Sequence, residues 1–285
     1  MEELTVKKDF TDIYRQKFPD DYLEEMRRLQ YRIPNSTKSF YMSLAEQLYK
    51  KLSRPINILD IGSSYGINAA LMKHDLEMSD LDDFFLTEEN TNVEQTKQFF
   101  EKLPSKDYLK FYQIDISDPA LQFSEEVKLC TKGICINLET ESLPIKELPS
   151  FDMIIATGCI GYIGYKAFSN LFELIKKQQT KYSQTEIDKP IFAFSVLRIF
   201  DMEKIQQTFD DFGYSLVKTD LGPIRQRQFS DSDEKSQTVS LLHEKGIDPK
   251  DFEDDGHFYA HFYIASPKKL ENQLISMSKK MKKVC

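Results

Sequence analysis

Apolar residues follow two different spacings along this chain. In the first 54 residues, Phe40, Leu44, Leu48 and Leu52 recur at every fourth position, which predicts a helix with one apolar face. Further along, short apolar runs alternate with amphipathic helical stretches. The runs are Ile56 to Ile61, Phe111 to Ile116, Gly133 to Leu138, Phe151 to Thr157, Ile191 to Leu197, Tyr214 to Lys218 and His257 to Ser266. Buried strands separated by helices are typical of a parallel sheet covered on both faces. The pattern therefore predicts an α/β fold with a doubly wound, seven-stranded, mainly parallel sheet and an N-terminal helical cap.

The stretches between these elements predict how the chain is organised. We expect the helical cap over residues 1–54, an α/β domain over 55–267 and a basic C-terminal helix or tail over 268–285. Residues 75–108 are typical of an acidic helical insertion. Only the polar stretch 220–256 separates the last two strands, which predicts an antiparallel edge pair. This stretch is then an active-site loop that overhangs the carboxyl edge of the parallel strands.

Composition narrows the classes of function. The net charge is −8, which disfavours a nucleic-acid partner because the phosphates would meet net repulsion. No run of about 18 apolar residues is present, so we expect no membrane-spanning helix, and the N-terminus has no apolar segment typical of a secretory signal. The four cysteines form no Cys-x-x-Cys pair, which predicts no metal site and a reducing, cytoplasmic location.

The first strand leads into a turn of small residues. Asp60 stands two positions before the segment Gly62-Ser63-Ser64-Tyr65-Gly66, and a helix is predicted to follow. The two glycines let the backbone approach a ligand closely, and the helix start offers N–H groups. The dinucleotide fingerprint needs Gly-x-Gly-x-x-Gly, whereas the spacing here is Gly-x-Ser-x-Gly.

This turn resembles motif I of the class I S-adenosylmethionine-dependent methyltransferases, in which an acidic residue and one further residue precede Gly-x-Gly-x-Gly. The chain departs from that pattern at the middle glycine, where Ser64 stands. The resemblance implies a Rossmann-like methyltransferase domain with S-adenosylmethionine as cofactor. It also implies that Asp60 interacts with the methionine part of the cofactor, and that Gly62, Ser63, Ser64 and Gly66 form the binding turn.

In the same family, the second strand ends in an acidic residue that holds the ribose hydroxyls. Glu88 and Asp115 are both candidates. Asp115 stands 22 residues before Asn137, and Asn137 stands 15 residues before Asp152, and both intervals are typical of the family. We therefore predict Asp115 in this role, with Ile116 beside it.

Later segments extend the resemblance over roughly residues 55–217, with a last strand at 257–266. Asn137 and Leu138 resemble the end of the third strand, which lies beside the adenine. Thr157, Gly158 and Cys159 end the fourth strand, which in the family lines the reactive end of the cofactor.

Residues for the substrate are predicted at the carboxyl edge of the strands, the usual ligand crevice of open α/β sheets. His257 is the candidate general base because its ordinary pKa lies near neutrality. Arg225 and Arg227 are candidates for holding a substrate carboxylate or phosphate. The remaining candidates for contact with the substrate are Tyr31, Arg32, Tyr162 and Arg198.

The expected function is methyl transfer from S-adenosylmethionine to an oxygen or nitrogen of a small molecule, by in-line displacement. A protein side chain is an alternative substrate. A second alternative is a serine hydrolase, since Gly-x-Ser-x-Gly also matches a nucleophile turn with Ser64 as nucleophile and His243, His257 or His261 as base. A third is a non-catalytic cofactor-binding regulator whose protein partner docks on the basic C-terminal helix.

Overall fold

The computed structural model describes residues 10–87, 92–143, 148–161, 163–182 and 189–272. The strands are β1 (Ile56–Ile61), β2 (Leu109–Asp115), β3 (Lys132–Cys135), β4 (Met153–Ala156), β5 (Ile191–Leu197), β6 (Tyr214–Lys218), β7 (Ile224–Gln228) and β8 (His257–Pro267). The helices are α1 (Thr11–Tyr14), α2 (Asp20–Arg28), α3 (Ile33–Leu52), α4 (Ile67–His74), α5 (Met78–Phe85), α6 (Val93–Glu101), α7 (Asp118–Glu126), α8 (Tyr165–Tyr182), α9 (Glu203–Asp211) and α10 (Ser232–Glu244).

The strands form one mixed sheet in the order β3-β2-β1-β4-β5-β8-β6, and β7 also pairs with β8. The first five strands are parallel, whereas β8 runs antiparallel to its three neighbours. The predicted doubly wound α/β fold with an antiparallel edge is confirmed. Over the described residues the sheet has eight strands, one more than the seven that the sequence predicts.

The extra strand lies in residues 220–256, which the sequence predicts as a loop. This stretch instead contains β7 and α10. The sequence of β7, Ile-Arg-Gln-Arg-Gln, has a single apolar residue, so hydrophobic patterning cannot reveal it. Its outer edge pairs with the turn after α2: Arg32 donates its backbone N–H to the Gln226 carbonyl at 2.8 Å, and Gln228 donates to the Leu29 carbonyl at 2.7 Å.

Two apolar layers cover the sheet. On one face, Phe262 of β8 packs against Phe40 and Tyr41 of α3, with ring centroids 5.3 and 5.6 Å apart. On the other face, Phe168 of α8 packs 5.1 Å from Phe209 of α9. Because both faces are covered, the carboxyl edge of the parallel strands is the natural place for a ligand.

The second strand is the one that interval spacing predicts. β2 ends at Asp115 and pairs in parallel with β1, so this strand assignment is confirmed. Glu88, the other candidate, lies outside the described residues. Residues 75–108 contain α5 and α6, and β3 ends three residues earlier than the predicted third strand.

The described part of the chain contains no helix that is both long and apolar enough to cross a membrane. Beyond Asn272, the basic C-terminal segment lies outside the described residues.

Candidate active site

The turn after β1 adopts left-handed backbone conformations at three positions. The φ angles are +63° at Gly62, +51° at Ser64 and +79° at Gly66. A left-handed conformation costs a residue with a Cβ about 1–2 kcal/mol, and Ser64 adopts it where the related motif has glycine. Its backbone N–H donates a hydrogen bond of 2.8 Å to Asp115 Oδ2, which helps to hold the residue there.

Three further N–H groups of the turn are also used within the protein. Gly62 and Ser63 donate to the Ile114 carbonyl at 2.8 and 3.3 Å, and Gly66 donates to the Ser63 carbonyl at 3.0 Å. A phosphate group at a helix start needs N–H groups that point at the ligand. Since these N–H groups are engaged and two carboxylates lie beside them, the turn is poorly suited to a pyrophosphate.

Asp60 lies behind the turn in a buried polar network. Its side chain is fully buried and accepts hydrogen bonds from Asn68 Nδ2 at 3.1 and 3.2 Å. The same Asn68 nitrogen lies 3.2 Å from Thr157 Oγ1, which in turn lies 2.8 Å from the Tyr41 hydroxyl. Burial raises the pKa of Asp60 to about 8, although the Asn68 hydrogen bonds act to lower it.

Replacing Asp60 with asparagine is expected to stabilise the fold near neutral pH. The unfolded aspartate loses its proton near pH 4, whereas the folded one keeps it up to about pH 8. Within that window the folded state binds more protons, so this group lowers stability by about 1.4 kcal/mol for each pH unit of increase. Asparagine has no proton to lose, so the gain in unfolding free energy should grow from pH 5 to pH 8.

Chemical denaturation at several pH values measures this difference. Asp107→Asn, which changes an exposed aspartate before β2, is the matched control and should show no such trend. A gain in unfolding free energy for Asp60→Asn that does not change with pH would contradict the raised pKa of Asp60.

Asp115 and Ile116 lie at the end of β2, next to the turn. Asp115 Oδ1 accepts the backbone N–H of Ser117 at 2.9 Å, and its other oxygen accepts that of Ser64. Burial raises the pKa of Asp115, and these backbone hydrogen bonds oppose the rise. Ile116 is 73% exposed, an unusual position for a large apolar side chain. A carboxylate and an apolar surface are thus presented together.

The ends of β3 and β4 lie at the same edge of the sheet. After β3, Asn137 is exposed and Leu138 is buried. After β4, Thr157 belongs to the Asp60 network, and Gly158 donates its N–H to Ser195 Oγ at 3.2 Å. Cys159 donates its thiol to the Ile61 carbonyl at 3.2 Å.

Gly62 allows Cys159 to lie directly on the turn. A Cβ at position 62 would stand 2.6 Å from Cys159 Cβ and 2.8 Å from its Sγ. The structure therefore brings the predicted turn, Asp60, Asp115 and the end of β4 together.

Residues near the N-terminus cover the turn at 62–66. Tyr65 OH lies 2.9 Å from the carbonyls of both Ile13 and Gln16, and the Ser117 hydroxyl donates to the Tyr14 carbonyl. The Tyr22 ring packs on the Tyr65 ring at 5.8 Å. Residues 13–22 thus close one side of the turn against water.

Two of the four candidate arginines are buried in ion pairs, which differs from the sequence-based expectation that they contact the substrate. Arg198 contacts Glu253 at 2.6 Å, and Arg227 contacts Glu234 at 2.6 Å. All four side chains are less than 9% exposed. A buried guanidinium that is already matched to a carboxylate is poorly placed to bind a substrate anion as well. Arg198 and Arg227 therefore serve the fold.

Arg225 belongs to a more exposed polar group around Asp255. It contacts Asp255 Oδ2 at 2.8 Å, the Tyr259 hydroxyl donates to the same oxygen at 2.6 Å, and His257 Nδ1 lies 2.9 Å from Oδ1. Burial acts to raise the pKa of Asp255, but these hydrogen bonds and positive charges bring it below its ordinary value.

His257 is oriented by this contact. If Nδ1 carries the proton that Asp255 accepts, the ring presents Nε2 as an acceptor. That atom is buried and has no hydrogen-bond partner among the described residues. His261, further along β8, has its pKa lowered to about 4 by burial and by the charges of Lys218 and Arg198.

The remaining substrate candidates are placed as follows. Tyr31 has its hydroxyl against Gly158, where a Cβ would overlap it. Arg32 is exposed and anchors the turn after α2 through its backbone. Tyr162 lies outside the described residues.

Four contributors escaped the sequence analysis: Tyr41, Asn68, Gln226 and Asp255. Asn68 had a signal, because it interrupts the apolar start of α4, where Ile67, Ala69, Ala70 and Leu71 are all buried. Gln226 had none, since it belongs to the strand without an apolar pattern.

The serine hydrolase alternative is not supported by this geometry. The Ser64 hydroxyl is buried and makes no hydrogen bond to any described residue, a histidine included. A nucleophilic serine needs a base within hydrogen-bond reach. Among the described residues, no group of three or more His, Cys, Asp or Glu side chains is arranged to hold a metal ion.

Comparison with known proteins finds similarity in solved structures only. No family model matches the chain, and no curated protein matches it. Magnesium protoporphyrin IX methyltransferase (ChlM) from Synechocystis PCC 6803 with bound SAM is 11% identical, over 90% of this chain and 90% of that one, with a TM-score of 0.43. The plantazolicin methyltransferase BpumL in complex with SAH is 12% identical, over 90% and 93% of the two chains, with a TM-score of 0.38. A TehB-like SAM-dependent methyltransferase from Corynebacterium glutamicum is 11% identical, over 77% and 86%, with a TM-score of 0.37.

Proposed function

We propose that this protein is an S-adenosylmethionine-dependent methyltransferase that methylates an oxygen or nitrogen of a small molecule. One observation carries the proposal: two acidic residues, Asp60 and Asp115, flank a glycine turn in which four N–H groups are engaged within the protein, beside the exposed Ile116. Such a site favours a nucleoside that carries no phosphate and has positive charge. S-adenosylmethionine has that chemistry, with its sulfonium and ammonium groups.

The residues present fit this cofactor. Asp115 has lone pairs left for the ribose hydroxyls beyond those that accept the backbone N–H groups of Ser64 and Ser117. Ile116 offers an apolar surface on which a purine can lie. The buried hydroxyls of Ser63 and Ser64, which have no partner among the described residues, are further polar groups in the turn. Asp60 lies behind it and would supply negative charge once a bound cation lowered its raised pKa.

The bound cofactor would supply a methyl group on a positively charged sulfur, which is an activated leaving group. The chain's own residues then have to align the acceptor atom with that group and exclude water. Tyr65 and Ser117 hold residues 13–16 over the turn and so serve the second task. His257, held by Asp255, is the proposed acceptor for a proton on the substrate's nucleophilic atom.

A small molecule is preferred over a protein side chain because this edge is enclosed on several sides. Residues 13–22 cover the turn, and the segment after α2 is hydrogen-bonded to β7. We further propose that residues 1–54 act as a cap on the domain at 55–267.

Calorimetric titration with S-adenosylmethionine and S-adenosylhomocysteine tests the proposal. The folded protein should bind both ligands. A folded sample that binds neither would refute the proposed function.

Ile116→Ser is expected to weaken S-adenosylhomocysteine binding about tenfold, because it removes apolar surface under the base. The midpoint of thermal unfolding should stay unchanged, since this side chain is already 73% exposed. Tyr49→Ser is the matched control, because Tyr49 is also a large exposed apolar side chain and lies on α3. Equal affinity in Ile116→Ser and the parent protein would show that the base does not lie on Ile116.

A further inference from the structure

Tyr31 and Gln226 meet at the carboxyl end of β4. Gly158, the second residue after that strand, has a φ angle of +73°. A Cβ at this position would overlap the Tyr31 hydroxyl and would stand 3.6 Å from Gln226 Nε2. A phenol hydroxyl and a carboxamide thus approach the same glycine.

Both side chains are held by a specific backbone arrangement. Gln226 is the extra residue of a β-bulge: Arg225 pairs with Tyr259 and Arg227 with Phe258, so Gln226 has no partner across the ladder. Bulges redirect a side chain and often occur beside active sites. Gln226 is only 5% exposed, and its carbonyl accepts the N–H of Arg32, which fixes the neighbouring Tyr31.

The proposed cofactor has to extend from Ile116 towards this glycine. Ile116 and the Asp115 carboxylate at the end of β2 suit the adenine and the ribose. The amino-acid end of the cofactor would then lie over the ends of β1 and β4. Those ends are in contact, because Cys159 lies on Gly62. An ammonium group can donate to a carboxyl oxygen of Asp60, which lies buried behind them, and the ligand's carboxylate then has to be matched by other donors.

Three of the four candidate arginines are already held by acidic side chains, and the fourth, Arg32 beside Tyr31, is exposed. Arg225 and Arg227, the neighbours of Gln226 on β7, contact Asp255 and Glu234, and Arg198 at the end of β5 contacts Glu253. The groups that approach Gly158 are neutral donors, the Tyr31 hydroxyl and the Gln226 carboxamide.

We propose that the Tyr31 hydroxyl and the Gln226 carboxamide hold the carboxylate at the amino-acid end of S-adenosylmethionine. The inference rests on the proposed function and deepens it. Two neutral donors replace the arginine that a carboxylate would otherwise attract, so the ligand's charge is matched without adding a cation beside the sulfonium.

The test compares two ligands that differ at this end. S-adenosylhomocysteine carries the amino acid, and 5′-methylthioadenosine shares the nucleoside and sulfur but lacks it. Calorimetry should show that Tyr31→Phe and Gln226→Leu each raise the Kd for S-adenosylhomocysteine about tenfold. The Kd for 5′-methylthioadenosine should not change. Gln228→Leu alters an exposed glutamine on the same strand and should affect neither ligand.

A further variant distinguishes the loss of a hydrogen bond from a loss of packing. Gln226→Glu keeps the length of the side chain and places a carboxylate against that of the ligand, so it should weaken S-adenosylhomocysteine more than Gln226→Leu does. Equal effects on both ligands, or none on either, would overturn the inference while leaving the proposed function standing. A parent protein that binds neither ligand would refute both.

Discussion

Replacing Arg227 with alanine is expected to lower the free energy of unfolding by about 3–5 kcal/mol, the usual loss when one partner of a buried ion pair is removed. The guanidinium donates to both Glu234 oxygens, at 2.8 and 2.6 Å, and both side chains are at most 5% exposed. It also lies 4.7 Å from the centre of the Phe258 ring. Alanine would leave the Glu234 carboxylate buried and without its cation. Denaturant unfolding at neutral pH measures the loss.

Two further variants separate this explanation from a role in binding. Arg225→Ala breaks a pair whose side chains are 40% and 35% exposed, so it should cost less than about 1 kcal/mol. The double variant Arg227→Met/Glu234→Leu should regain most of the stability, since no buried charge is left alone. If Arg227→Ala were as stable as Arg225→Ala, the ion pair would not hold β7 to α10.

The same pair gives the parent protein a specific acid sensitivity. Burial acts to raise the pKa of Glu234, but the hydrogen bonds and charge of Arg227 bring it below its ordinary value. The unfolded chain therefore takes up this proton at a higher pH than the folded one. The stabilisation is present above about pH 4.5 and is lost as the pH falls through the folded-state pKa. Arg227→Ala should lack that part of the acid dependence.

The ion pair of Arg227 could not be predicted from the sequence. Its strand carries little apolar signal, so the sequence predicts a loop over residues 220–256 with arginines that bind an anion. The Glu234 and Glu253 partners come from α10 and from the segment just before β8, and neither pairing can be deduced from spacing along the chain. Charge pairing is decided by tertiary packing, whereas strand patterning is local.

The buried strands, in contrast, can be predicted from the sequence. Runs such as Ile56 to Ile61 and Ile191 to Leu197 coincide with β1 and β5, because a strand covered on both faces has to be apolar throughout. Family-like intervals also identified the strand that ends at Asp115. The start of α3 is harder to predict: Asn35, Ser36 and Thr37 are residue types that commonly cap helices, yet the helix begins at Ile33 with Pro34 in its first turn, where proline is tolerated.

At the candidate site, the local motif can be predicted from the sequence, whereas contacts between distant residues cannot. The turn at 62–66 was visible because its glycines and its acidic neighbour are adjacent in sequence. The Asp60 network was not, because Tyr41 and Thr157 lie 116 positions apart. Polar groups that meet only after folding leave no periodic signal in the sequence.

Gly62→Ala is expected to destabilise the protein by about 2–5 kcal/mol, from left-handed backbone strain of about 1–2 and overpacking of about 1–3 kcal/mol. The new Cβ would lie 2.6 Å from Cys159 Cβ, an atom fixed to the backbone that cannot rotate away. Gly213→Ala separates the two terms: its φ angle is +76°, yet a Cβ there meets nothing within 4 Å. This control should show the strain alone, and denaturant unfolding measures both variants.

Shortening Cys159 tests the origin of the remaining difference. Cys159→Ala removes only Sγ, which would stand 2.8 Å from the new Cβ, whereas Cys159→Gly removes both clashing atoms. In the Gly62→Ala background, Cys159→Gly should therefore recover the overpacking loss, and Cys159→Ala should recover only part of it. Recovery by neither would mean that the turn at 62–66 is not packed against the end of β4. That outcome would also remove the contact between β1 and β4 on which the placement of the cofactor's amino-acid end depends.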